Sequence, residues 1–265
     1  YIASHLQEGA VTWYWNATRH VDFAQGIIAV GVGSALLPAI SAAAAADDGE
    51  KFRSAFTGAA RLAGVMLVPA AAVILAFPEP CVALLFRHGA YTWLDVTQTA
   101  SALQMLVPFM LALAGIQIIK KPFFALERRG VLIGVGGLGV LLTAGLGLWL
   151  APAMGVDGLA LALSISTCAQ LFAYVIVLQG TVEGGLGLGG LLADVGRMLA
   201  ATLPAVGLAW LSMSQGDWSL GPTFQNAGIF IGSMALGGVV YAIGATVMGI
   251  GELRSVARRV ASRLR

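Results

Sequence analysis

Long apolar runs separated by short polar breaks set the pattern of this chain. The runs cover about Val11–Ile40, Phe52–Phe77, Val96–Ile119, Val131–Leu150, Gly158–Leu178, Met198–Met213 and Phe224–Ile250. Most of them reach the ~20 residues that a helix needs to cross ~30 Å of hydrocarbon. The pattern predicts seven membrane-spanning helices, and Tyr1–Leu6 reads as the last turns of an earlier one, closed by the turn Gln7-Glu8-Gly9. Pro78–Asp95 reads as an outer segment whose Val82–Phe86 is too short to cross and forms an interfacial helix, with Tyr91 and Trp93 at headgroup level. Pro69 and Pro108 fall inside spans and predict kinks, and Gly184–Gly190 reads as a flexible inner connection.

Composition strengthens the membrane reading. The chain is 58% hydrophobic and only 11% charged, against roughly 25% charge in a soluble domain. The fold class expected is an all-α polytopic membrane bundle. Charge then orients it. Lys51, Arg53, Arg61, Lys120, Lys121, Arg128, Arg129 and Arg197 gather at alternate connections, and Arg254, Arg258, Arg259, Arg263 and Arg265 load the C-terminus. The intervening connections hold Arg87 alone. Basic connections stay in the cytoplasm, so the tail is expected there too, its arginines facing anionic lipid headgroups rather than nucleic acid.

One span breaks the apolar rule. Arg19 sits within Val11–Ile40, and Asp22, three residues on, shares its face of a helix. A guanidinium in a bilayer costs from about 3 to over 10 kcal/mol, so such a residue marks either an internal ion pair or a path for an anion. Thr12, Asn16, Thr18 and His20 make the same half-helix polar, which favours an anion-binding face turned to a cavity. A locking Arg19–Asp22 salt bridge is the alternative. His20 reads as a packing histidine beside the arginine.

Enzyme chemistry finds no support. HExxH, GxSxG and Walker-type motifs are absent, and Gly184–Gly190 lacks the Lys-Ser/Thr of a phosphate-binding loop. Cys81 and Cys168 fall at different depths, which argues against a disulfide, and neither has metal-ligand spacing. No cofactor, metal or catalytic residue is expected.

Several segments in order resemble the MurJ (MviN) family of lipid II flippases, within the multidrug/oligosaccharidyl-lipid/polysaccharide exporter superfamily. Ala17-Thr18-Arg19-His20-Val21-Asp22-Phe23 is similar to its A-D-R-x-x-[QE]-[FL] helix, and Gly33–Ser41 to its G-T-x-L-L-P-x-[LI]-S segment. Leu84–Thr92 resembles L-L-F-x-R-G-x-F-T, Phe123–Leu126 the F-Y-A-L/R start of an inner connection, and Gly158–Ala162 a G-L-A-L-A helix opening. Thr18 replaces the usual Asp, and Leu126-Glu127-Arg128 stands where the family often has an A/L-x-G-D turn.

The resemblance implies two facing six-helix lobes followed by two further helices. On that reading the chain is a C-terminal fragment. Residues 1–180 form the second transport lobe, 181–250 the additional helix pair and 251–265 a basic cytoplasmic tail, while the N-terminal lobe is the missing partner. It further implies an undecaprenyl-diphosphate-linked peptidoglycan precursor, lipid II, as substrate, moved by alternating access across the bacterial cytoplasmic (inner) membrane. Arg19 would grip the diphosphate, with Asp22, Thr12 and Thr18 beside it. An exporter of another lipid-linked oligosaccharide, such as an O-antigen unit, and a non-transporting membrane scaffold remain open alternatives. A polyprenyl-phosphate enzyme would need acidic metal-binding motifs that the sequence lacks.

Overall fold

A computed structural model describes residues 6–46, 48–182 and 185–250, with residues 27–37, 44 and 45 described as backbone only. The expected helix end at Tyr1–His5 and the basic tail 251–265 lie outside the described residues. Among the described residues nine α-helices follow one another: α1 Ala10–Ala45, α2 Gly49–Ala76, α3 Pro78–Phe86, α4 Trp93–Met105, α5 Val107–Ala125, α6 Arg129–Met154, α7 Val156–Gln179, α8 Leu188–Met213 and α9 Phe224–Val247. Six of these (α2, α5, α6, α7, α8 and α9) are long and apolar enough to cross a membrane. α1 is 36 residues long, its N-terminal half carrying Arg19, His20, Asp22 and Gln25.

Local chemistry sets the helix ends. The Asp48 side chain accepts from the Lys51 amide at 2.9 Å to open α2, which satisfies a donor that the first turn leaves orphaned. Thr92 and Asp95 form a reciprocal capping box at the start of α4. Thr223 caps α9 through the Asn226 amide. The single residue Gly155, at φ +61°, turns α6 into α7. A Cβ on Gly158 would stand 2.5 Å from the Leu150 carbonyl oxygen, so only glycine permits so tight a corner.

Two expectations change. The span Val96–Ile119 is not one helix: it breaks at Leu106 into α4 and α5. Pro108 carries no amide hydrogen and cannot continue the ladder. The Ser164 hydroxyl of α7 enters the gap, donating to Met105 O at 2.5 Å and accepting from the Phe109 amide at 3.3 Å. A side chain inserted into the i→i−4 ladder is a known cause of such a kink. Pro69, in contrast, breaks nothing, since α2 runs from Gly49 to Ala76 as one helix, and α1 runs past the Ile40 end expected for its span to Ala45. Val82–Phe86 does lie in a short helix, α3.

Packing divides into one large core and two small ones, the smallest formed by Phe77, Ala209 and Met213. Val21, Leu103, Met110, Phe123 and Tyr174 belong to one buried cluster uniting α1, α4, α5 and α7. α8 and α9 meet α2 in a second cluster that includes Val65, Met198, Ala201, Tyr241 and Ala245. Polar ties reinforce that second contact. Tyr241 Oη donates to Val65 O at 2.9 Å. The Asp194 carboxylate of α8 accepts from Arg61 Nε of α2 at 2.5 Å and from Arg197 at 3.0 Å. Arg53 holds the Gly185 carbonyl at 2.9 Å. Basic residues read from sequence as topology signals thus also fasten helices to one another.

Candidate substrate-binding face

α1 divides lengthwise into two faces. Ala10, Trp13, Ala17, Val21 and Gln25 are buried against the bundle. Thr12, Trp15, Arg19, Asp22, Phe23 and Gly26 are exposed on the other side. At about 100° per residue, Arg19 points almost opposite the centre of the buried face, with Thr12 directly in line two turns away. Asp22 lies about 60° round from Arg19. Thr18 falls on the flank instead, half-buried, and its hydroxyl donates to Trp15 O at 2.9 Å. The structure therefore brings Thr12, Arg19 and Asp22 onto one face and turns Thr18 away from it.

Among the described residues no ion pair joins Arg19 to Asp22 or to any other group. The charge is held by exposure rather than by an internal partner. Arg19, His20, Phe23 and Ala24 form one wall of a cavity of about 1020 Å³. The other walls come from α2 through Pro69 and Val73, α3 through Leu85, α8 through Val206 and α9 through Ile231 and Met234. These walls are almost wholly apolar, and among the described residues Arg19 supplies the cavity's one guanidinium. The arrangement places a planar five-donor cation beside a hydrocarbon-like groove, a geometry suited to an amphiphilic anion.

His20 packs as expected. Its ring meets Phe86 edge-on with centroids 5.4 Å apart, and its nitrogens face Asn16 O at 3.0 Å and Cys81 O at 3.2 Å. Cys81 is buried in α3, which pushes its thiol up to about 12, so it stays protonated and unreactive. At the outer end Trp13 Nε1 donates to Asp95 Oδ1 at 2.7 Å. Burial alone would lift Asp95, but hydrogen bonds from Thr92 and Trp13 and the nearby Arg87 charge leave it below the ordinary carboxylate range.

Sequence reasoning overlooked three polar residues that hold α1. Gln25 is only 6% exposed; its Nε2 donates to Met110 O at 2.6 Å, and its Oε1 accepts from Gln117 at 3.2 Å. Asp95, which closes the outer segment Pro78–Asp95 in the sequence reading, is the acceptor of Trp13. A glutamine inside an apolar span was the available signal, since an intramembrane amide must find partners in protein.

The fold and this face together define a polytopic α-helical membrane protein with a cationic helix face at the edge of an apolar cavity. Comparison makes the assignment specific. The sequence profile of the family described as lipid II flippase MurJ matches residues 1–227, and the chain belongs to that family. A Burkholderia cenocepacia protein named lipid II flippase MurJ is 28% identical over 168 residues, covering 63% of this chain and 32% of its own length. A Buchnera aphidicola protein described as "Probable lipid II flippase MurJ" is 22% identical over 253 residues, covering 94% of this chain and 48% of its own. A solved structure, "Lipid II flippase MurJ, inward closed conformation", superposes with a TM-score of 0.77 over 93% of this chain and 48% of that one, at 17% identity, and so supports the fold. The chain spans about half or less of the length of these relatives.

Proposed function

We propose that this chain is the second lobe, with its additional helix pair, of a two-lobe flippase. Its substrate is an undecaprenyl-diphosphate-linked peptidoglycan precursor, carried outward across the bacterial cytoplasmic membrane. The observation that carries this reading is Arg19 on the exposed face of α1, at the wall of an apolar cavity of about 1020 Å³. Diphosphate oxygens take paired hydrogen bonds from a guanidinium, Thr12 adds a hydroxyl in line, and the Asp22 carboxylate accepts from hydroxyl or amide groups of the head. The groove between α1, α2, α8 and α9 takes a stretch of isoprenoid tail, so the head crosses in a polar cleft while the tail stays in hydrocarbon. Alternating access then needs rocking of one lobe against the other and no covalent step.

Residues 1–180 provide the transport lobe on this reading, and 181–250 the helix pair that closes the groove. The basic connections face the cytoplasm. A cysteine at Asp217 should therefore label from outside intact cells and one at Gly189, where a Cβ meets nothing within 4 Å, should not. The reading is tested by joining this lobe to its facing lobe and expressing the transporter in a strain depleted of its own flippase. Restored growth and lipid II translocation in liposomes are expected. Translocation of an O-antigen lipid but not of lipid II would favour the other lipid-linked oligosaccharide, which shares the diphosphate.

A further inference from the structure

Within α1 the buried side between residues 13 and 25 is lined by Ala17 and Val21, both fully buried. Such small, smooth side chains pack well yet do little to key a helix against turning about its own axis. Directional hydrogen bonds do that: α1 has one at each end of this stretch, and between them His20 Nε2 meets Cys81 O of α3 at 3.2 Å. Trp13 lies six residues before Arg19 and Gln25 six residues after it. At about 100° per residue each anchor is about 120° from Arg19, one on either side, and the two are ~18 Å apart along the axis. They straddle the line opposite the guanidinium, so rotation in either direction strains at least one of them.

The acceptors are themselves fixed. Asp95 Oδ2 takes bonds of 2.6 Å from both the Thr92 amide and the Thr92 hydroxyl, which leaves Oδ1 aimed at Trp13. Met110 O belongs to α5, and Gln117 on the same helix orients the Gln25 amide from the other side. One acceptor thus lies on α4 and the other on α5, on opposite arms of the break at Leu106. The bend that Ser164 holds there sets the distance between them.

We infer that Trp13 and Gln25 are positioning residues, whose bonds to Asp95 and to Met110 O fix the rotation of α1 so that Arg19 meets the substrate cavity. The inference rests on the proposed role of Arg19, but its test needs no substrate. A nitroxide is attached at Gly26→Cys, in a Cys81→Ser, Cys168→Ser background, in the full chain reconstituted into liposomes. Gly26 lies two turns beyond Arg19 on its face, and a Cβ there meets nothing within 4 Å. A mobile line shape is expected with both anchors present.

Combining Trp13→Phe with Gln25→Leu should broaden that line toward the immobile limit while helical content stays unchanged and melting, though at a lower midpoint, stays cooperative. Adding Gln117→Leu, which removes the amide left without its partner, should not restore mobility. An unchanged line shape, or restoration by Gln117→Leu, overturns the inference. If the double variant does not fold, Trp13→Phe alone must broaden the line, and failure to do so overturns it equally. Growth supported by an Arg19→Ala transporter would instead sink the diphosphate reading while leaving the rotational result intact.

Discussion

α1 and α6 each present an open side, and the two sides have opposite chemistry. α6 exposes Ile133, Val140, Leu141, Leu148 and Trp149, each more than 65% exposed except Leu148 at 64%. α1 exposes Thr12, Arg19 and Asp22 among Trp15 and Phe23. Exposure in a bundle of this hydropathy therefore has two meanings. Where the open side is aliphatic it faces lipid, which matches Leu as a solvent. Where it carries a guanidinium without an ion pair, lipid is an unfavourable neighbour, since the bilayer would cost that group several kcal/mol. The two helices differ in inner surface too. Gly139, Gly147 and Ala151 are the buried residues of α6, whereas α1 is held by Trp13 and Gln25 through hydrogen bonds.

Reversing the chemistry of the lipid-facing side should have the largest effect. Leu141→Arg would set a charge where α6 meets hydrocarbon, at about 2.5–3.5 kcal/mol on insertion scales. Loss of the protein from the membrane fraction is expected, while Thr12→Arg on α1 should leave abundance near normal. Equal losses from both would erase the distinction between the two faces.

Between these extremes stands the buried contact of α2 with α8. Asp194→Ala leaves Arg61 and Arg197 without their shared carboxylate. Because the Arg61 side chain is 38% exposed, water offsets part of the cost, so about 1–3 kcal/mol is expected. The drop should appear as a lower melting midpoint in detergent, and Arg197→Ala should cost little more once Asp194 is gone.

A smaller effect concerns Glu127, at the entry to α6. Its φ of +56° is left-handed, a conformation that glycine adopts freely. Glu127→Gly should raise stability by about 1 kcal/mol, measured by the same melt. Smallest is the pH response of Asp95. Its carboxyl lies below the ordinary range when folded. Its contribution is therefore complete above the unfolded value of about 3.9 and fades as pH falls through the lower folded value. Melting midpoints taken toward about pH 3 should fall less steeply in Asp95→Asn than in the parent.

Much of this was legible before any coordinates. Hydropathy located six of the seven expected spans, because ~20 apolar residues have few other uses. Among the described residues α1, with its polar half, is not one of the helices apolar enough to cross, and Arg19 with Asp22 stood out by their cost. The break at Leu106 was only half visible: Pro108 announced a kink, but its depth depends on Ser164, some 55 residues away in the chain. The orientation of Thr18 was hidden for a different reason. Adjacency to Arg19 in sequence puts it about 100° away on the helix, and its hydroxyl is taken by Trp15 O. The left-handed backbone at Glu127 left no mark in the sequence, because a non-glycine residue there does not announce a positive φ.

The account rests on Arg19 serving a ligand rather than the fold, and a charge-removal cycle decides it. In the joined two-lobe transporter, Arg19→Ala should abolish growth of a flippase-depleted strain at near-normal protein abundance. Arg19→Lys should recover part of it, keeping the point charge but losing the paired geometry. The double variant Arg19→Ala with Asp22→Ala removes both charges, which relieves any unpaired ion but cannot replace a substrate contact. The account predicts that this double variant is expressed and inactive; growth restored by it would show that Arg19 exists to balance Asp22.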